Sequence, residues 1–351
     1  MNTINFFNTK KDSKKNSNVR PKKILLLIDM YDWSFHNIAL RIQKNIINHN
    51  IDILTTVEFY NNAENTLKKK YDSMIFFFPS GKFSPQQLTY IKNYNNTKLC
   101  WCLYDNYIWT DKNNIPELQK GKQMTLKNIK FWLNNSGATF YGSKRILNNL
   151  HKLNKNLMFH NKIMYYPCID GVDTKMFYFK KYDKDILTKK ILKIGWIGNS
   201  DFTQSGLQKG FKEIKQYVTD LSENFEFCPL DKQIKQIPHK EVPNYIHNID
   251  IIVCFSTAEG TPNQILEGSS CGRCWVSTDV GVVSPLYNTL KNNPTGIIIN
   301  KDEESFKEAL MKLYNNRNLL AIYGRNGRRA IEVNWDWKYR LDGFKNAFDT
   351  A

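Results

Sequence analysis

No apolar run in the 351 residues approaches the roughly 20 that a membrane-spanning helix needs. The longest candidates are residues 24–28 and 74–79, so a transmembrane protein is not expected. A secretory signal is not expected either, because Asn2, Thr3 and Asn5 lead into Lys10, Lys11, Lys14 and Lys15 with no apolar core and no small-residue cleavage site. Cysteine is scarce and odd in number, seven in all. Cys100, Cys102, Cys228 and Cys254 fall in apolar segments, which reads as buried thiols in a reducing compartment rather than a disulfide framework. The expected location is the cytoplasm, including a peripheral position at the inner membrane surface, and the sequons at Asn95 and Asn134 then carry no meaning. Glycine-rich phosphate loops are lacking too. There is no G-x-G-x-x-G after a first strand, only Gly195-Trp196-Ile197-Gly198, and no G-x-x-x-x-G-K-[ST], which disfavours dinucleotide oxidoreductases and phosphate-loop ATPases. Any bound nucleotide must be held another way.

Acidic residues are short in one half only. Residues 1–190 hold 31 Lys or Arg against 14 Asp or Glu, whereas residues 191–351 hold 19 of each, so the whole net charge of +17 lies in the first half. That asymmetry suggests that the N-terminal half meets something anionic. An unselected Lys- and Asn-rich composition would look the same, and charge alone does not separate the two. Part of the excess is a polar, basic tail, residues 1–22, which is expected to be disordered. Beyond it, 41% hydrophobic and 13% aromatic residues are ordinary for a folded chain.

Short apolar runs alternate with amphipathic stretches from there on. Runs at 24–29, 51–59, 73–79, 98–105, 138–143 and 162–167 enclose candidate helices at 34–48, 85–94 and 144–153. This β-α-β alternation predicts a parallel sheet. Residues 180–190, rich in Lys, Asp and Tyr, read as a linker. The pattern then restarts, with strands at 192–197, near Phe225, and at 250–255, 274–278 and 296–299, and helices near 207–221, 241–247, 262–271, 303–315 and 318–333. The fold class is therefore α/β, with two Rossmann-like doubly wound domains facing across a cleft. Expected boundaries are 23–185 for an acceptor-side domain, 186–332 for a donor domain, and 333–351 for a helix crossing back to the first. In such sheets ligands sit beyond the strand C-termini.

The strongest local signal runs from Ser256 to Gly272. An apolar strand ends there, Gly260 supplies a turn, and Pro262 sits where proline is tolerated, in a first helical turn. Glu259 lies at the strand-to-helix junction. Glu267, eight residues on, faces the same cleft about two turns along. The amides of Thr261, Asn263 and Gln264 would be unpaired at that N-terminus, suited to a phosphate or to sugar oxygens. Two carboxylates flanking a helix N-terminus suit a nucleotide sugar, although surface glutamates at this spacing also occur without function.

With those residues in view, the sequence resembles the retaining, GT-B-fold glycosyltransferases of the group 1 type, the relatives of glycogen synthase and lipid mannosyltransferases. The resemblance covers residues 163–345 well and residues 23–160 loosely. Its landmarks are Ile169-Asp170-Gly171-Val172-Asp173 with Phe177, similar to N-G-V-D-x-x-x-F; Gly195 to Asn199; Lys209-Gly210; Val242 to Ile246 with Asp250; Glu259 to Glu267; Ser270-Cys271-Gly272; Asp279-Val280-Gly281; and Asn334 to Trp337. The resemblance implies that Glu259 contacts the donor sugar, Glu267 holds the nucleotide ribose, and Lys209 neutralises the diphosphate, with Gly198, Asn199, Gly260, Thr261, Asn263 and Gln264 also lining the donor site. It implies no cofactor and no metal beyond a nucleotide sugar as co-substrate, a UDP-sugar ahead of a GDP-sugar. Asp183-Lys184-Asp185, a superficial D-x-D, reads as a solvated loop.

Two departures stand out. The arginine usual about six residues before the lysine is Thr203, followed by Gln204, and a histidine common at the end of the fourth strand is Tyr104, followed by Asp105. Cys271-Gly272-Arg273-Cys274 lacks a second ligand pair and reads as structure rather than a zinc or redox site. His239 and His247 read as surface or capping residues. Asp32, Trp33 and His36, where the first strand gives way to the first helix, are acceptor-side candidates along with Tyr104 and Asp105, though a staple for the helix start accounts for Asp32, Trp33 and His36 equally well. Trp335 and Trp337 read as structural anchors. The implied activity is retaining transfer of a hexose or pentose from a nucleotide sugar to an anionic or polar acceptor, a lipid-linked or surface glycan ahead of DNA with a modified base. A non-catalytic nucleotide-sugar or nucleic-acid binder is the competing class, and no obligate protein partner is evident.

Overall fold

The computed structural model describes residues 20–32, 34–77, 98–103, 126–148, 164–201 and 209–350. Among them are two wholly parallel sheets. The N-terminal sheet has the order β2-β1-β3-β4-β5-β6, formed by Asn50–Thr55, Lys23–Ile28, Ser73–Phe76, Lys98–Leu103, Ala138–Tyr141 and Met164–Pro167. The C-terminal sheet has the order β11-β10-β9-β7-β8, formed by Ile297–Ile299, Cys274–Thr278, Ile251–Cys254, Leu192–Gly198 and Phe225–Asp231. This is the architecture expected from the β-α-β alternation.

Central strands of a parallel sheet are covered on both faces, so they read as unbroken apolar runs. Ile24 to Ile28 and Ile251 to Cys254 are buried throughout. Helices cover the faces through one apolar stripe each, such as Ile214 and Val218 of Phe211–Asp220, one turn apart. Asp302 caps Glu303–Asn315 by accepting from the Ser305 amide at 2.8 Å, while Phe306, Leu310 and Leu313 face inward.

The structure adds helices that the sequence reading did not expect, Leu126–Asn135 among them, and departs from it in two further places. The run 51–59 divides, with a strand ending at Thr55 and a helix, Thr56–Asn61, following. A reciprocal capping box at Thr55 and Glu58 starts that helix and overrides the strand propensity of Val57 and Phe59. Residues 180–190 are no free linker. Ile186 is buried in the C-terminal core, and the Tyr182 hydroxyl donates to the Asp250 carbonyl at 2.6 Å while accepting from the Cys274 amide at 2.8 Å.

Two chain crossings join the sheets. Val172 donates to the Trp335 carbonyl at 2.9 Å and accepts from the Trp337 amide at 3.3 Å, so the outgoing and returning crossings pair. Their closeness excludes a side chain at Gly171, where a Cβ would lie 2.9 Å from the Trp337 backbone. The return leads into Asp342–Thr350, whose Phe344, Ala347 and Phe348 join the N-terminal core. His49 clasps that helix, its Nε2 lying 3.2 Å from Asp349.

In each sheet strand order reverses beside the first strand of the domain, between β1 and β3 and between β7 and β9. Loops that leave such neighbouring strands in opposite directions open a crevice at their C-terminal ends. In the C-terminal domain those loops carry Lys209 and Glu259, and in the N-terminal domain one of them carries Asp32.

Candidate active site

The C-terminal half of the site grows from the β9 end. After Cys254 the chain turns through Ser256 and Gly260 into the helix Asn263–Ser270, whose first turn has no side-chain cap. The turn is tight: at Gly281, φ is +53° and a Cβ would lie 2.2 Å from the Gly260 carbonyl oxygen, so only glycine fits without strain. Around this N-terminus, Thr261 Oγ1 and Gln264 Nε2 are buried with no hydrogen-bond partner. Buried polar groups are nearly always paired in a folded protein. Two orphans beside an uncapped helix start therefore mark a place built for polar groups from outside the chain.

Two ion pairs flank it. Lys209 Nζ lies 2.5 Å from Glu259 Oε1, their side chains 18% and 8% exposed, and Ser256 Oγ donates to the same carboxylate oxygen at 2.8 Å. Lys209 is held there by Gly210, which has φ +66° and no room for a Cβ beside the Phe255 carbonyl oxygen. Four residues past the helix start, Glu267 Oε1 meets His239 Nε2 at 2.8 Å. Burial opposes charge on His239, but the hydrogen bond and charge of Glu267 outweigh it and hold the imidazole above its usual pKa.

Glu267 and His239 form part of the wall of a cavity of about 260 Å³ between the two domains. The N-terminal domain contributes Asp32, Ser34, Asn37, Ile38 and Arg41 from the start of the helix Ser34–Asn45, and the outgoing crossing contributes Asp170 to Asp173. Arg41 bridges to Asp173 at 2.5 Å, tying the N-terminal domain to the crossing. Burial alone would raise the Asp173 pKa, yet the amides of Met176 and Lys175 and the Arg41 guanidinium outweigh it and the pKa falls. Asp170 goes the other way. Only 3% exposed, with no cation paired to it among the described residues, it is pushed by burial up to about 8 against the opposing effect of the Asn263 amide.

The structure thus brings Lys209 and Glu259 together at one flank of the helix start and puts Glu267 and Asn263 in the crevice wall. Glu259 and Lys209 are not among the residues lining that cavity. Gly198 ends β7, and its Trp196 neighbour leaves no space for a Cβ. Asn199 Oδ1 ties down its own loop, accepting from the Asp201 amide at 3.0 Å and from Gln233 Nε2 at 2.7 Å. Asp32 lines the crevice, with φ +57°. His36 Nδ1 accepts from the Asp32 amide at 3.0 Å and its ring meets Tyr31 edge-on, which fastens the helix start. Trp33, Tyr104, Asp105, Thr203 and Gln204 lie outside the described residues.

Sequence reasoning missed His239, Asp170 and Arg41. Nothing local marks Arg41, because its partner lies across the domain boundary. His239 was readable only as a residue just ahead of a helix, and Asp170 only as an acid where the resembling motif has asparagine. Cys271 and Cys274 are buried with free thiols, and burial pushes Cys271 up to about 12, so that pair packs the core. No described helix is long and apolar enough to cross a membrane.

Residues 184–316 match the family model for glycosyl transferases group 1. Two Methanocaldococcus jannaschii proteins described as uncharacterized glycosyltransferases are similar to this chain. One is 30% identical over 95 residues, covering 26% of this chain and 22% of the relative. The other is 25% identical over 167 residues, covering 40% of this chain and 45% of the relative, so the alignments span less than half of either relative's length. Among solved structures, Anabaena HepE in complex with UDP and glucose superimposes with a TM-score of 0.63 at 11% identity, covering 94% of this chain and all of that one. That likeness is one of fold, the two-domain GT-B arrangement.

Proposed function

From a chain whose residues 184–316 match the group 1 glycosyltransferase family model on a GT-B-like frame, we infer an enzyme that transfers a sugar from a nucleoside diphosphate sugar. The observation that carries this reading is the uncapped start of the helix Asn263–Ser270, with Thr261 and Gln264 orphaned beside it and a paired carboxylate on either side. The helix amides and Lys209 supply positive charge where a diphosphate would lie. Glu267 accepts from ribose hydroxyls and Glu259 from those of the sugar. Each of the four charged groups is matched to another within the chain, and the donor exchanges these matches for its own.

Transfer proceeds with retention. As the bond from the anomeric carbon to the phosphate oxygen stretches, negative charge builds on that oxygen, and Lys209 with the helix start stabilises it. The acceptor hydroxyl attacks from the face the phosphate leaves, and a phosphate oxygen takes its proton, so no carboxylate nucleophile is needed. Closure of the domains excludes water. No metal is required, the donor is a UDP-sugar ahead of a GDP-sugar, and the basic first half meets an anionic acceptor, a lipid-linked glycan at the cytoplasmic membrane surface. Incubation with a nucleotide sugar and vesicles carrying polyprenyl phosphate tests this, with the anomeric configuration of the product read by NMR. Retained configuration on the lipid is expected; inversion overturns the mechanism, and transfer only to DNA overturns the acceptor.

A further inference from the structure

Asp170 stands apart from every other acid in the crevice. It is the third residue past the end of β6, where the chain leaves the N-terminal domain, and it lines the cavity together with Asn263 and Glu267. No cation pairs with it among the described residues. The side-chain amide of Asn263, the first residue of the uncapped helix, lies close enough to favour its charged form, and its Oδ1 is buried with no partner among the described residues. We propose that Asp170 is a donor-site residue that works as a neutral acid, keeping its carboxyl proton and donating it in a hydrogen bond to a phosphate oxygen of the nucleotide at the start of the helix Asn263–Ser270.

The arrangement determines which oxygen does this. Oδ1 is the buried oxygen left without a partner, so it is the one placed to carry the proton as a hydrogen-bond donor. A buried carboxylic acid kept neutral near physiological pH can donate in this way, whereas its ionised form cannot. An ionised Asp170 would also repel the diphosphate across a site of low dielectric. Burial holding Asp170 to about 8 makes the acid form the prevailing one at neutrality. The other charged groups facing this space are Arg41, Asp173, His239, Glu267 and Asp32, with the Cys102 thiol behind. All of them remain when Asp170 alone is changed.

The inference rests on the nucleotide-sugar reading and is tested with UDP and GDP as probes. Affinity is measured by calorimetry from roughly pH 7 to roughly pH 9 for the wild type and Asp170→Asn, which keeps the shape and cannot ionise. The wild type is expected to lose about tenfold in affinity over that range, as one proton must be bound, and Asp170→Asn to lose less than about a third as much. Superimposable pH profiles overturn the role of Asp170 while leaving the nucleotide site standing. If neither nucleotide binds even near neutrality, the nucleotide reading fails and the inference with it. Carbon-13 NMR of the carboxyl group in the wild type gives a second readout that needs no variant. Its titration midpoint should rise when UDP is added, and an unmoved midpoint under saturation contradicts the proposal.

Discussion

Replacing Lys209 with methionine separates what the lysine does for the fold from what it does for chemistry. Its ammonium lies 2.5 Å from Glu259, whose side chain is only 8% exposed, and Ser256 donates to the same carboxylate oxygen. Removing one member of a buried pair costs about 3–5 kcal/mol because the remaining charge stays buried. The lysine is 18% exposed and water can reach the gap, so the lower end, about 3 kcal/mol, is expected. For a domain of this size that lowers Tm by roughly 6–12 °C. Pairing Lys209→Met with Glu259→Gln removes the orphaned charge and should restore most of the loss. Turnover should not follow, because loss of a group that stabilises a departing oxyanion costs about 100- to 1,000-fold in kcat. Calorimetric melting and nucleoside diphosphate release would be measured on both proteins. If the double variant regained activity together with stability, the lysine would be a structural pin and its assigned role would be wrong.

Two further outcomes follow from the geometry. His239 has a raised pKa in the fold, so its pair with Glu267 stabilises fully below the ordinary value of 6.5 and fades as pH rises through the raised one. A nucleotide sugar competing for Glu267 should bind about three- to tenfold more weakly near pH 6 than near neutrality, and His239→Phe should flatten that acid-side decline; an unchanged slope excludes the competition. Gly281→Ala would force a Cβ to 2.2 Å from the Gly260 carbonyl at φ +53°. It should cost about 1–3 kcal/mol and weaken nucleotide binding at least about tenfold, and wild-type melting and affinity together would show that the turn has slack.

The sequence disclosed most where physics is local. Unbroken apolar runs such as Ile24 to Ile28 and Ile251 to Cys254 announced central parallel strands, and Gly260 with Pro262 announced the turn into the donor helix. It disclosed less where a residue's neighbour lies far along the chain. Arg41 and Asp173 are separated by most of the N-terminal domain, and Glu267 finds His239 only because two separate loops converge on one wall. The Thr56–Asn61 helix was hidden by β-branched and aromatic residues, since a capping box decides its start more than propensity does. Residues 180–190 looked like a linker because polar residues outnumber the two, Tyr182 and Ile186, that anchor the segment.

Release of nucleoside diphosphate from a panel of UDP- and GDP-sugars bears most directly on the central claim, that a sugar nucleotide is bound and cleaved at the start of the helix Asn263–Ser270. At least one donor should turn over, with the rate falling at least about 100-fold in Lys209→Ala and comparably in Glu259→Ala. Binding of nucleotides without cleavage of any donor, or undiminished cleavage by both variants, would contradict it.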